Sequence, residues 1–379
     1  MATLAAALLG LALIAGGLWD AFETIVLPRR VSRRLRIANI FYRLTWRLYA
    51  FFANRIRDDG RREGYLSFYG PLSLLMLIGI WAIVLIIGFG VLHWASGSAV
   101  TTLNGQQPDF GTDLYLSGTT FFTLGLGDVV PNTGPARFLT VIEGGTGFAF
   151  LALIIGYLPI VYQMFARREM NVSLLDQRAG SPPTAVELLR RNVDGGDLTE
   201  LIRLLHDWEL WVADLLESQL SYPTLAYFRS QHENQSWVAA LAVILDVSAY
   251  ILACGVSAAS RQAGFTLAVS RHAVADLSQI FSQGPRAPSS QRLTPETAQR
   301  LWEAARVRGL LSNSTETAQE RLTALRGVYE PYLEALSEHL RMPLPPWAPA
   351  PGAKDNWEST AWDYESPAAL FGPGAPFIR

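Results

Sequence analysis

Residues 71–94 read PLSLLMLIGIWAIVLIIGFGVLHW, and this stretch decides the fold class. It contains no Asp, Glu, Lys or Arg. At about 1.5 Å per residue, a helix of this length crosses a hydrocarbon core of about 30 Å. Helices in the core of water-soluble proteins are rarely apolar on every side over such a length. The stretch therefore predicts a transmembrane helix.

Two further segments are apolar enough to span a membrane. Residues 136–164 form one of them and carry a single acid, Glu143. Residues 1–27 form the other; they lack the basic start and the small-residue cleavage site of a signal peptide, so we favour an uncleaved span. Asp20 and Glu23 lie near the end of this span, which predicts that they sit at the membrane interface.

The composition agrees with a membrane protein. Hydrophobic residues make up 50% of the chain and charged residues only 17%, against roughly a quarter in ordinary soluble domains. A mean hydropathy of +0.19 excludes an intrinsically disordered chain. The single cysteine, Cys254, excludes an intramolecular disulfide framework and a cysteine-rich zinc site.

The arginines predict the orientation of the spans. They are concentrated in residues 28–70, whereas residues 95–134 contain neither Lys nor Arg. Arg167 and Arg168 follow the last span. The positive-inside rule then places the C-terminal half in the cytoplasm and the N-terminus outside. We expect a multi-pass protein of the cell membrane.

The basic segment 28–65 contains an amphipathic helix. In residues 36–57, apolar side chains recur at helical spacing between arginines. Such a helix suits an anionic inner leaflet, so the lipid bilayer is one expected partner. A voltage sensor is a more specific alternative for this segment, but a voltage sensor needs arginines within a transmembrane helix.

Residues 113–131 read DLYLSGTTFFTLGLGDVVP and predict a re-entrant loop. The first part is apolar but too short to span, and Asp113 suits a helix N-terminus. Thr123-Leu124-Gly125-Leu126-Gly127-Asp128 follows. Alternating glycines permit backbone conformations in which all carbonyls face one side. Four such strands around an axis would replace the water shell of a cation, so one loop per chain implies a homotetramer.

The glycine-rich string does not match a nucleotide-binding motif. Position 130 is Val where a dinucleotide-binding GxGxxG motif needs Gly, and no Walker lysine follows, since Lys354 is the only lysine. No nucleophile–base set or metal motif is found, so we expect neither an enzyme nor a metal site beyond the permeant ion. No nucleic-acid partner is expected.

With a span on each side, the string resembles the pore module of potassium channels, whose filter usually reads Thr-Val-Gly-Tyr-Gly-Asp. The resemblance covers roughly residues 66–168. It implies an outer helix, a pore helix, a filter and an inner helix at residues 71–94, about 112–122, 123–127 and 136–164.

The resemblance also implies roles for single residues. Potassium would be the permeant ion, with no other cofactor, bound through backbone carbonyls and one threonine hydroxyl. The ion-binding residues would be Thr123, Leu124, Gly125, Leu126 and Gly127. Asp128 would stand at the outer mouth. Leu126 departs from the usual aromatic residue, so apolar packing would brace the filter and a weakly selective cation channel is an alternative.

Four side chains are expected to support the filter: Tyr115, Ser117, Thr119 and Glu143. An acid within a span is a functional candidate by default. Glu143 would either bond the pore helix through Ser117 or Thr119, which we favour, or face the ion path.

Gly147 and Pro159 are the candidate gating residues. Gly147 matches the position of a hinge glycine in the family, but close packing against the pore helix explains a small residue equally well. Pro159 lies near the inner mouth and would kink the helix there, although a proline near a helix end is often incidental.

The C-terminal half reads as all-helical. We expect a linker at residues 169–183, an α-helical cytoplasmic domain at 184–341 and a Pro/Trp-rich tail, disordered or loosely docked, at 342–379. Residues 237–256 are nearly all apolar and form either a fourth span or, as we prefer, the buried central helix of a bundle.

These inferences predict an all-α membrane protein: an N-terminal span, an outer helix, a re-entrant pore helix with a filter loop, an inner helix and an α-helical cytoplasmic domain. Its predicted function is a homotetrameric potassium channel whose cytoplasmic domain senses an unknown ligand or partner. The alternatives are a weakly selective monovalent cation channel and a non-conducting, membrane-tethered signalling or scaffold protein.

Overall fold

A computed structural model describes residues 2–27, 37–103, 107–193, 196–232, 234–312, 314–353 and 355–356. Within these ranges the regular secondary structure is helical apart from one two-stranded antiparallel sheet. This confirms the prediction of an all-α membrane protein.

The chain divides into two compact units. The membrane unit comprises residues 1–57 and 68–163, and the C-terminal unit comprises residues 58–67 and 164–379. The boundaries differ from the predicted ones, because the end of the basic segment 28–65 belongs to the C-terminal unit.

The elements of the membrane unit are α1 (Ala2–Ala21, with a π-helical end at Phe22–Val26), α2 (Ile37–Ala53), α4 (Tyr69–Ala95), β1 (Val100–Thr102), α5 (Phe110–Phe121), β2 (Val129–Pro131) and the first part of α6 (Gly134–Ala179). Helices long and apolar enough to cross a membrane include Ala2–Val26, Asp59–Ala95 and Gly134–Ala179. The first matches the predicted span 1–27 to within one residue at each end, and the other two contain the predicted spans 71–94 and 136–164.

Glycines let α1 and α4 approach closely. A Cβ added at Gly10 would lie 2.8 Å from the carbonyl oxygen of Gly88, and one added at Gly88 would lie 2.8 Å from Ile14 Cγ1. Small residues at helix contacts are typical of membrane proteins, where close packing replaces the hydrophobic effect as a source of association.

Asp20 is buried within the membrane unit, and its position at the membrane interface stays a prediction. Its Oδ2 accepts hydrogen bonds from Trp81 Nε1 at 2.8 Å and from the backbone N–H of Ala38 at 3.1 Å. Ala38 lies in the first turn of α2, where unpaired N–H groups and the helix dipole favour a carboxylate. Asp20 thereby links α1 to both α2 and α4. Glu23 is also buried and accepts a hydrogen bond from Trp19 Nε1 at 2.8 Å.

Helix α2 forms within the predicted amphipathic segment. It buries one face, including Phe41 and Trp46, and Thr45 Oγ1 lies 2.9 Å from Tyr69 Oη at the start of α4. The opposite face exposes large apolar side chains: Ile40, Leu44, Leu48, Phe51 and Phe52. Contact of this face with an anionic leaflet stays a prediction.

The C-terminal unit consists of α3 (Asp59–Ser67), the end of α6, α7 (Ala185–Asn192), α8 (Thr199–Ser221), a 3-10 helix (Pro223–Tyr227), α9 (Trp237–Cys254), α10 (Ser257–Ile280), α11 (Pro295–Val307), α12 (Thr315–Gly327) and α13 (Glu330–Leu340). Most of the predicted linker 169–183 is helical, because α6 continues to Ala179.

Helix α9 is the core of the C-terminal unit. It is apolar enough to cross a membrane, yet every residue in it except Leu252 is buried by the surrounding helices. It begins at Ser236, whose hydroxyl accepts from the N–H of Ala239, and ends at Gly255, which adopts the left-handed conformation with φ 74°. This burial favours the central helix of a bundle over a fourth span.

A buried ionic cluster fixes the centre of α9. Asp246, fully buried, pairs with Arg292 and accepts a hydrogen bond from Tyr329 Oη at 2.7 Å. Arg292 Nε donates to the carbonyl oxygen of Pro345 at 2.8 Å. Burial alone would lower the pKa of Arg292, but the attraction of Asp246 outweighs it and the pKa is raised.

The described part of the predicted tail is docked. Met342 and Trp347 are buried, and the carbonyl oxygen of Trp347 accepts from the N–H of Val186 at 2.9 Å. Asp355 pairs with Arg191 at 2.8 Å. The rest of the tail, from residue 357, lies outside the described residues.

Candidate functional site

Helix α5 positions the glycine-rich loop. It begins at Asp109, whose Oδ1 accepts from the N–H of Thr112 at 2.8 Å, while the N–H of Asp109 donates to Thr112 Oγ1 at 3.3 Å. These hydrogen bonds from Thr112 hold the pKa of Asp109 below its usual value. The predicted start at Asp113 is therefore one turn late. Asp113 is buried inside the helix and accepts from Ser98 Oγ at 2.5 Å.

The loop 123–127 has an alternating backbone. Thr123, Gly125 and Gly127 have φ of 57°, 56° and 78°, in the left-handed region, whereas Leu124 and Leu126 do not. Glycine adopts this region at no steric cost, but a β-branched residue such as Thr123 does so only under strain. Strain of this kind is found mainly at functional sites, where the surrounding structure enforces it.

The end of α5 holds the loop in place. The N–H of Thr123 donates to the carbonyl oxygen of Thr120 at 2.9 Å, and the N–H of Leu124 to that of Thr119 at 2.8 Å. Glycines at alternate positions permit a backbone in which successive carbonyls face one side. A row of carbonyl oxygens is a ligand set for cations stripped of water.

Tyr115 and Asp128 connect α5 to the far end of the loop. Tyr115 Oη donates to Asp128 Oδ2 at 2.7 Å, and the carbonyl oxygen of Asp128 accepts from the N–H of Leu103 at 3.0 Å. The short sheet continues from this point, pairing Thr102 with Val129. A hydrogen bond therefore contributes to the brace at this end of the loop, and the apolar packing expected at Leu126 stays a prediction.

Glu143 of α6 lies behind α5 and is fully buried. Its Oε1 is hydrogen-bonded to the Ser117 hydroxyl, which also lies 2.8 Å from the carbonyl oxygen of Ile86. Its Oε2 lies 3.1 Å from His93 Nε2. Of the two candidate partners of Glu143, Ser117 makes the hydrogen bond. Thr119 Oγ1 instead donates to the carbonyl oxygen of Leu116 in its own helix at 3.0 Å.

His93 is the residue that the sequence interpretation missed. It is buried in the last turns of α4 and is the only histidine before His206. An isolated histidine at the end of an apolar stretch, with an acid inside the next span, is a weak signal that the two meet.

Gly147 gives α6 room to pass the end of α5. A Cβ at this position would lie 1.9 Å from the carbonyl oxygen of Phe121, so no other residue fits without movement of the backbone. This contact gives a packing reason for the glycine; a hinge there stays a prediction.

Pro159 lies inside α6, so its predicted place near a helix end is wrong. The helix continues to Ala179 although proline has no N–H to donate to the carbonyl of the preceding turn.

Comparison with known proteins agrees with this geometry. Residues 79–163, which include most of α4, α5, the loop and the start of α6, match a family described as "ion channel". The chain is also 26% identical, over 188 residues, to the uncharacterized membrane protein YdjJ of Bacillus subtilis (strain 168). That alignment covers 49% of this chain and 54% of YdjJ, so the chain spans about half the length of this relative. No solved structure matches.

The ion-channel match points to transport rather than to enzymatic chemistry. The chain is therefore a multi-helix membrane protein whose residues 79–163 are similar to an ion-channel domain.

Proposed function

We propose that this chain is one subunit of a homotetrameric channel that passes potassium through the loop 123–127. The observation that carries the proposal is the alternation of left-handed residues at Thr123, Gly125 and Gly127, held at the C-terminal end of α5. The ion-channel match spans the same elements.

Permeation would be passive. Carbonyl oxygens of residues 123–127, with the hydroxyl of Thr123, replace water around the ion, and several weak sites in a row let ions displace each other. The C-terminal end of α5, where the loop begins, carries the negative end of the helix dipole and favours a cation. Asp128 adds a carboxylate at the mouth.

Four copies would complete the site. In one chain the side chains of Leu124 and Leu126 are 61% and 62% exposed, and α6 exposes large apolar residues that include Phe138, Val141 and Phe148. These surfaces suit lipid or further copies of the chain. Closed rings of identical subunits are the usual way to surround an axis.

Gating by the C-terminal unit has a physical route. Arg168, near the point where α6 enters this unit, is buried and donates to the carbonyl oxygens of Leu225 and Phe228, each at 2.8 Å. Next to Phe228, Arg229 pairs with Glu63 of α3 at 3.0 Å. Helix α3 leads directly into α4 and α6 follows the loop, so the segment 225–229 is bound to both of the chain's connections into the membrane unit.

The deciding experiment measures reversal potentials in liposomes that contain the purified full-length chain, under opposed potassium and sodium gradients. A potential close to the potassium equilibrium value supports the proposal. A potential near zero would favour the weakly selective channel, to which Leu126 points. Absence of current in an intact oligomer would favour the scaffold and refute the proposal.

A further inference from the structure

A row of buried polar side chains lies behind α5, on the side away from Tyr115 and Asp128. It runs from Ser98 to Asp113 of α5, and from His93 of α4 through Glu143 of α6 to Ser117 of α5. The side chains of His93 and Glu143 are 1% and 0% exposed. Three helices of the membrane unit therefore meet at one histidine and two carboxyl groups.

Two atoms of this row have no hydrogen-bond partner among the described residues: His93 Nδ1 and Asp113 Oδ1. Ser98 connects the two residues, because its N–H donates to the carbonyl oxygen of His93 at 3.2 Å and its hydroxyl donates to Asp113 Oδ2. A buried polar atom without a partner is costly, so such pairs usually serve a purpose or share a proton or a water molecule.

We propose that His93, Glu143 and Asp113 form a proton-responsive brace that sets the position of α5. The expected effect of the brace on current rests on the proposed function, whereas its expected effect on stability does not. His93 acts as a positioning residue: it contacts Glu143, which holds Ser117, and Ser117 lies one turn before the residues that bond the loop.

The net charge of the row depends on how many protons it holds. The titratable groups that the structure records around it are His93, Glu143, Asp113 and the exposed Asp109. With one proton among the three buried groups the row is net negative, and with a second it is neutral. A net charge in a buried site is unfavourable, so gain or loss of a proton changes how tightly Glu143 holds α5.

Protons have a route to the row. Ser98, which donates to Asp113, is half-buried and lies in the connection between α4 and β1. Histidine is the side chain whose charge ordinarily changes between about pH 5 and 8. His93 is the only histidine in the membrane unit, so a difference in pH response between wild type and a His93 variant points to this row.

The test compares wild type with His93→Gln and, as a control, His206→Gln, which alters an exposed histidine of α8. Glutamine keeps one donor for Glu143 but takes up no proton. Two quantities are followed between about pH 5 and 8: the melting temperature of the purified oligomer and the current in planar bilayers. We expect both to change with pH in wild type and in His206→Gln. In His93→Gln we expect the current to lose its pH dependence and the melting temperature to change less with pH than in wild type, since His339 of the C-terminal unit still contributes to the change in melting temperature.

A flat wild-type profile, or a His93→Gln profile that follows wild type, would overturn the brace. If His93→Gln fails to assemble, Glu143→Gln takes its place, because its amide can still bond Ser117 and it too is expected to lose the response. A protein that passes no current refutes the proposed function, and the melting temperatures then decide the brace alone.

Discussion

Gly147 of α6 packs directly against the backbone of Phe121: a Cβ at position 147 would lie 1.9 Å from the carbonyl oxygen of Phe121 and 2.7 Å from its carbonyl carbon. Phe121 is the last residue of α5, two residues before the alternating loop begins. The separation of α5 and α6 is therefore set where the loop starts.

The substitution Gly147→Ala is expected to disrupt the membrane unit, because the added methyl meets backbone rather than a flexible side chain. Overpacking typically costs about 1–3 kcal/mol and occasionally more. Gly145→Ala is the matched control, since a Cβ there meets nothing within 4 Å. The measurement is the yield and melting temperature of the purified oligomer. Equal values for the two variants would contradict the packing role of Gly147.

Much of this fold is predictable from local sequence. Long apolar runs give the spans, and alternating glycines give the loop at residues 123–127, because both depend on properties of consecutive residues. The contacts of Asp20 with Trp81 and of Glu143 with His93 are different. They join residues far apart in the chain, and a single sequence states which side chains need partners but not which partners they have.

The hydrogen bond from Tyr115 to Asp128 is expected to keep the outer end of the loop aligned. Tyr115→Phe removes the hydroxyl and keeps the ring, so we expect a higher permeability of sodium relative to potassium. Reversal potentials under bi-ionic conditions measure the ratio. Tyr332→Phe, in the C-terminal unit, is the control. An unchanged ratio in Tyr115→Phe would show that the bond does not hold the loop.

Arg168 is expected to transmit movement between α6 and the segment 225–229. Arg168→Gln loses the paired hydrogen bonds to Leu225 and Phe228, so the open probability should change while single-channel conductance stays the same. The neighbour Arg167 has a side chain that is 61% exposed, and Arg167→Gln is the control. Single-channel recording separates the two quantities. A changed conductance, or equal effects of both variants, would argue against transmission through Arg168.

The pair of Asp246 and Arg292 is expected to be essential to the C-terminal unit, since both side chains are buried. Asp246→Asn removes the closer of the two carboxylates that pair with Arg292, the other being Glu330 at 3.4 Å, and breaking a buried pair costs about 3–5 kcal/mol. Glu200→Gln breaks the pair of Glu200 and Arg203, two side chains that are 58% and 65% exposed. This substitution should lower the free energy of unfolding by only about 0–1 kcal/mol. Denaturant midpoints of the full chain in detergent, followed by tryptophan fluorescence, compare the two. Similar losses would refute the structural role of Asp246.

His339 is expected to make the C-terminal unit less stable in acid. Burial, with Arg286 and Arg341 nearby, lowers the pKa of His339 to about 4. An unfolded chain binds the proton near a pKa of about 6.5, so between these values the unfolded state takes up a proton that the folded state does not. Stability should therefore fall as the pH decreases from about 6.5 to 4, by a loss on the order of 1–3 kcal/mol. Urea midpoints measured across this range should fall less steeply in His339→Gln than in wild type, whereas His272→Gln, at a 63% exposed side chain, should match wild type. Identical slopes in wild type and His339→Gln would show that folding does not lower the pKa of His339.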